Sequence, residues 1–115
     1  MSDPRNTARI AVAAAAYWVD RPYEYLLPEA FREKAQPGMR VVVPFGRGNR
    51  RTEGVILSLE KNRDARPLKS IDSLLDAEPV LSEDMLRLAL WMRERFFCTV
   101  FEAVRAMLPA GLWYA

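Results

Sequence analysis

The sequence contains no histidine and a single cysteine, Cys98. Without histidine, the commonest general base and metal ligand is missing, and with it every Ser-His or Cys-His nucleophile pairing. A lone thiol builds neither a disulfide framework nor a zinc site, which fits a reducing, cytosolic setting. Long apolar runs are also missing, since nothing approaches the ~20 residues of a membrane span. Residues 10–19 are apolar and follow Arg5 and Arg9, as in a secretory signal. Alanine rather than leucine fills their centre, however, and Asp3 precedes them, which argues against export. No Gly-Lys-Ser/Thr phosphate loop occurs, so ATP hydrolysis is not encoded in these residues. The formal net charge of +2 is too small to announce a polyanionic partner by itself. Internal repeats and low-complexity tracts are absent as well.

What is present is a chain of 115 residues, half of them hydrophobic, enough for one domain with a modest core. Its charge is uneven. Residues 1–69 carry 13 Lys and Arg against 8 Asp and Glu, a net of +5, whereas residues 70–115 carry 4 against 7, a net of −3. The first part is the one suited to a polyanion. In chain order, a polar terminus leads into an apolar first strand over residues 9–18. An aromatic stretch between Pro22 and Pro28 follows, then a charged connection over residues 29–36 that forms a helical turn before Pro37-Gly38. Residues 39–44, with Val41, Val42 and Val43, are the strongest strand signal. A basic loop over residues 45–51 joins them to a second strand over residues 52–59, where Gly54 permits a bulge or a close backbone approach. A charged loop precedes a half-exposed strand over residues 68–75.

After Pro79 the apolar period becomes helical. Ser82 suits an N-cap, and Leu81, Met85, Leu88, Met92 and Phe96 recur at helical spacing, with Asp84, Arg87, Trp91 and Glu94 on a more polar face. Thr99-Val100-Phe101-Glu102 matches a capping box, so a second helix is expected to run to Met107. Strands first and two helices last indicate an α+β fold: a small β-barrel or half-barrel of short strands followed by a two-helix C-terminal element. The expected division is a β-rich subdomain over residues 1–77 and a helical one over residues 78–115.

Within the aromatic stretch, Tyr23 and Tyr25 flank Glu24. On an extended segment the tyrosines point one way and the carboxylate the other, so a pocket shared by all three calls for a strand irregularity. The series Arg21-Pro22-Tyr23-Glu24-Tyr25-Leu26-Leu27-Pro28, then Gly38 to Gly46, then Gly54-Val55-Ile56, resembles the N-terminus of the bacterial primosomal protein N′ family of replication-restart helicases. The likeness continues through Leu68-Lys69-Ser70-Ile71, through Asp76-Ala77-Glu78-Pro79-Val80 and into the Trp91 to Phe97 helix end, and covers nearly the whole chain. The resemblance implies a module that captures the 3′-hydroxyl end of a nascent DNA strand at stalled forks. By the same resemblance Tyr23, Glu24, Tyr25, Gly46 and Lys69 form the end-binding pocket, and forks or D-loops, other primosome proteins and single-strand-binding protein are the partners. The setting implied is the cytoplasm, at the nucleoid. ATP and zinc would belong to the rest of a parent helicase, leaving this domain without cofactor or catalysis of its own. Two positions depart from the family's habit, which has aspartate more usually at Glu24 and phenylalanine more usually at Tyr23.

Physical logic runs alongside. A carboxylate near phosphates is unfavourable unless it accepts a compensating hydrogen bond. A terminal 3′ hydroxyl offers one, and an esterified internal O3′ does not. Arg47, Arg50 and Arg51 are then candidates for phosphate contact, with salt-sensitive binding as the consequence. Each residue also has a plainer use: the tyrosines as half-buried barrel residues, Glu24 and Lys69 as solvated charges, Gly46 as a turn glycine, the arginines as a soluble hairpin tip, Cys98 as a small buried apolar group. Trp91, Phe96, Phe97 and Phe101 read as core or an interdomain surface. The alternative to a DNA module is a protein-interaction or scaffold domain in which the aromatic residues dock a partner.

Overall fold

A computed structural model of the chain describes residues 5–13, 23–61, 67–96 and 98–108. The parts of the expected first strand beyond residue 13, together with Arg21, Pro22 and Phe97, lie outside the described residues. Five antiparallel strands form one sheet in the order β2-β1-β4-β3-β5, with β1 at Thr7–Val12, β2 at Tyr23–Leu26, β3 at Arg40–Phe45, β4 at Arg50–Glu60 and β5 at Ser73–Leu74. A short 3₁₀ turn, Glu29–Phe31, forms in the charged connection after β2, where a helical turn is expected. Helices α1, Glu83–Arg95, and α2, Val100–Met107, complete the α+β half-barrel.

Strand alternation builds two cores from one sheet. Ala8, Ile10 and Val12 of β1, Val41 and Val43 of β3, Ile56 of β4 and Tyr25 of β2 turn to the concave side, where Leu27, Met39 and Ile71 join them. Ala11 and Val55 turn the other way and share a second cluster with Leu81, Leu86, Ala89, Val100, Phe101 and Val104 under the helices. Gly54 lies where β1, β3 and β4 come closest. A Cβ there would stand 2.6 Å from Ile10 Cγ2 and 3.0 Å from the Ala11 carbonyl oxygen, so the expected close approach is what this glycine serves. The irregularity in the sheet falls instead on β1 against β4, where the register shifts between Arg9 and Ile10 and bends the sheet.

Residues 69–75 close the concave side. The Leu26 N–H donates to the Lys69 carbonyl at 2.8 Å and the Ile71 N–H to the Leu26 carbonyl at 3.1 Å. Farther on, the Asp72 N–H reaches Val42 O at 2.8 Å and the Leu75 N–H reaches Arg40 O at 2.9 Å. The segment thus crosses from one edge strand to the opposite side of the sheet. For that reason the strand expected over residues 68–75 is reduced to an isolated bridge at Ser70 and the two residues of β5. Asp76 fastens its far end: Arg40 donates from Nη2 to Oδ1 at 2.6 Å, from Nε to Oδ2 at 3.0 Å and from its backbone N–H to Oδ2 at 2.9 Å. Burial would raise the Asp76 pKa, but the Arg40 hydrogen bonds and charge outweigh it and hold the carboxyl below its ordinary value.

The helices start where expected. The Ser82 hydroxyl accepts from the Met85 N–H at 3.2 Å. Thr99 and Glu102 form the reciprocal capping box, at 3.0 and 2.9 Å. The buried face of α1 is rotated slightly from the expected one. Leu86 and Ala89 are its buried residues, with Met85 and Met92 packed beside them, while Leu88 and Phe96 are 47% and 56% exposed. Ala89 and Leu86 share a buried cluster with Val100, Phe101 and Val104 of α2, and a small residue at such a position permits close helix packing.

Candidate functional site

The edge strand β2, the end of β3 and residues 67–69 enclose a cavity of about 340 Å³ lined by Tyr23, Glu24, Tyr25, Phe45, Gly46, Pro67, Leu68 and Lys69. All five residues expected in an end-binding pocket therefore border one space. No irregularity in β2 is needed for this, because the pairing of β2 with β1 runs without interruption from Thr7↔Leu26 to Ile10↔Tyr23. The tyrosines alternate to the concave side and Glu24 lies across from the exposed Arg9. Glu24 borders the cavity from β2, the sheet's edge strand.

The two tyrosines have different surroundings. Tyr25 is 3% exposed and its hydroxyl donates to the Pro44 carbonyl at 2.7 Å. Burial, and next the neighbouring Tyr23, push its pKa up to about 12, so the phenol stays neutral and forms wall. Tyr23 is half-buried and meets the Phe45 ring edge-on, with centroids 5.0 Å apart and an interplanar angle of 86°. Phe45, Pro67 and Leu68 were not among the expected site residues. Strand alternation from Val41 and Val43 puts Phe45 on the same side, and this is the one signal in the sequence that finds it.

Gly46 opens the β3–β4 turn at φ +77, a left-handed value, with no atom within 4 Å of where a Cβ would sit. Its carbonyl accepts from Asn49 N–H at 3.2 Å and from Lys69 Nζ at 2.7 Å. Lys69 is thus drawn across to the turn and holds its ammonium at the cavity mouth. An ammonium has three donors, so one bond to Gly46 leaves capacity for an anion. Arg47, Arg50 and Arg51 do not line this cavity. They lie exposed at the hairpin tip and along β4, and Arg51 Nε stands 3.6 Å from Asp72 Oδ2.

No helix among the described residues is long and apolar enough to cross a membrane. A family profile described as the PriA 3′DNA-binding domain (3′BD) matches residues 9–109. The chain is similar to the replication restart protein PriA of Bacillus subtilis (strain 168), 33% identical over 109 residues, which is 93% of this chain and 13% of that protein. It is also similar to the probable replication restart protein PriA of Mycobacterium tuberculosis (strain CDC 1551 / Oshkosh), 32% identical over 93 residues, 80% of this chain and 14% of that protein. It thus spans only a small fraction of the length of these relatives. With the profile covering nearly all of the chain and the expected pocket residues gathered at one cavity, the chain belongs to the PriA 3′DNA-binding domain family.

Proposed function

We propose that the cavity between β2, β3 and residues 67–69 captures the 3′-hydroxyl end of a DNA strand, serving replication restart as part of a larger helicase. The observation that carries the reading is the convergence of Tyr23, Glu24, Tyr25, Gly46 and Lys69 on that one space. Glu24 is the acceptor for the terminal O3′ hydroxyl. Its charge penalises any strand whose O3′ is esterified or phosphorylated, because such a strand brings a phosphate and no donor. The Tyr23 ring, steadied by Phe45, stacks the terminal base; one such stack is worth about 1–3 kcal/mol and is indifferent to sequence. Tyr25, neutral and fully bonded, shapes the wall behind it. Lys69 holds the adjoining phosphate, and the bare backbone at Gly46 lets the terminal nucleotide come close. Arg47, Arg50 and Arg51 meet phosphates farther along the strand.

The domain itself carries out no chemistry in this reading. ATP hydrolysis, and zinc if the parent holds it, belong to other parts of that helicase, which works in the bacterial cytoplasm on nucleoid DNA. Forks and D-loops are the natural substrates because they present nascent 3′ ends. Primosome proteins and single-strand-binding protein are partners of the whole helicase. The test compares oligonucleotides identical except for a 3′ hydroxyl or a 3′ phosphate, at one fixed salt concentration. The hydroxyl end is expected to bind more tightly. Equal affinities would end the end-recognition reading, and no binding to either, with a protein partner lost on Tyr25→Ala, would favour the scaffold alternative.

A further inference from the structure

The β3–β4 hairpin has a second cavity, of about 350 Å³, on its other face. Val42 and Phe101 give it an apolar floor, and its charged lining is Arg51, Glu53 and Arg105. Val42 alternates away from Val41 and Val43, which face the concave core, and Phe101 belongs to the cluster under the helices. The cavity therefore opens on the helix-covered side of the sheet, away from Tyr23 and Tyr25. Arg105 sits in the last turn of α2 and is exposed, and its side chain makes no ion pair among the described residues. Arg51 is paired with Asp72, but at 3.6 Å and with side chains 75% and 42% exposed. Such a contact is easily exchanged for another anion.

We propose that Arg51 and Arg105 form a second DNA contact, a subsite for one phosphodiester a few nucleotides inward from the captured end. Two guanidiniums against the single Glu53 carboxylate leave the lining with one net positive charge, which matches a monoanionic phosphodiester better than a polyphosphate. Guanidinium forks suit planar, bidentate grip on phosphate oxygens. Val42 lies three to four residues back along β3 from the Phe45–Gly46 rim of the first cavity. The two cavities lie on opposite faces of the hairpin, so a strand that joins them must pass around its tip and needs more than two nucleotides to do so. A strand held at its end by the concave face would thus turn over the hairpin tip, past Arg47 and Arg50, to reach α2. The subsite rests on the DNA-binding reading for its ligand and is independent of whether the terminal hydroxyl is recognised.

The experiment titrates the full chain with 12-nucleotide single strands ending in a 3′ hydroxyl or a 3′ phosphate across a salt series, for wild type, Arg105→Ala, Arg105→Lys and Arg51→Ala. Arg105→Ala is expected to weaken both oligonucleotides by the same factor and to flatten the slope of log affinity against log salt by about 0.7. The ratio between the two ends should not change. Arg105→Lys should keep the slope, Arg51→Ala should flatten it as Arg105→Ala does, and a 3′-hydroxyl dinucleotide, too short to reach α2, should bind wild type and Arg105→Ala alike. An unchanged slope and affinity in Arg105→Ala, with helical circular dichroism retained, overturns the subsite. If wild type does not distinguish the two ends yet Arg105→Ala still flattens the slope, end recognition fails and the subsite stands.

Discussion

Glu24 lies between two tyrosines that belong to the concave core, and it borders the cavity from the last strand in the sheet. Replacing it with alanine should therefore remove end discrimination without disturbing the wall. A hydrogen bond to a charged acceptor is worth about 1.5–3 kcal/mol, so Glu24→Ala is expected to reduce the preference for a 3′ hydroxyl over a 3′ phosphate at least tenfold, read as the ratio of the two dissociation constants. Equal weakening of both ends would mean a structural role. Tyr25 gives a different signature. Its folded pKa of about 12 exceeds the ordinary value near 10, so the folded state holds this proton when the unfolded chain has lost it. The associated stability is complete below about pH 10 and is lost as pH rises toward 12. Denaturation midpoints should fall over that interval in wild type and fall less in Tyr25→Phe, which at neutral pH is weaker by about 1 kcal/mol for the Pro44 bond it loses. That Tyr23, Glu24, Tyr25, Gly46 and Lys69 would meet at one cavity was signalled only by likeness to a family, since nothing in their spacing brings Lys69 to Gly46. Strand alternation gives the face of Phe45 but not its use, and Pro67 and Leu68 carry no signal at all, because an apolar residue that walls a cavity has the same pattern as one that fills a core.

The element that positions Lys69 is the crossing segment 69–75, held at one end by Leu26 and at the other by the Arg40–Asp76 pair. That pair is nearly buried, with side-chain exposures of 11% and 7%. Removing one partner leaves a charge stranded in a poor solvent, at about 3–5 kcal/mol. Asp76→Ala should lower stability by that amount in urea unfolding, whereas a double replacement by apolar residues of similar volume should cost much less. Because the Asp76 carboxyl is held below its ordinary pKa, its contribution is present above about pH 4 and fades on acidification through the folded pKa. The β3–β4 hairpin and both helix caps were legible because their signals are local: β-branched runs, a glycine-bearing turn, Ser82, and Thr99 with Glu102. The crossing segment was read as a plain strand because its partners lie more than 25 residues away and its bonds go to two different strands. The rotation of α1 is not legible for a related reason: its apolar residues cover more than one face, and the face that is buried depends on the partners that α2 and the sheet bring to it.

At the scale of the whole molecule, one curved sheet separates two cores, with a cavity on each face of the same hairpin. The first cavity exists only when residues 67–69 are seated against β2, so whatever fills it favours the closed sheet. A 3′-hydroxyl oligonucleotide at 100 times its dissociation constant should stabilise the chain by about 2.7 kcal/mol, seen as a rise in the thermal midpoint that a 3′-phosphate strand does not match at the same concentration. A shift that is the same for both ends would separate general DNA binding from capture in this cavity. The crossing segment has one more effect, which concerns molecules in numbers. Leu26 at the sheet's edge gives its N–H to Lys69 and its carbonyl accepts from Ile71, so at this end of β2 the two backbone groups that would recruit a strand from a neighbouring chain are already occupied. An unpaired edge is a template for association. Loosening the far anchor by Asp76→Ala should therefore turn a concentration-independent unfolding into one that worsens with protein concentration. Light scattering during mild heating would report that change, and an unchanged concentration dependence would place the edge's protection elsewhere.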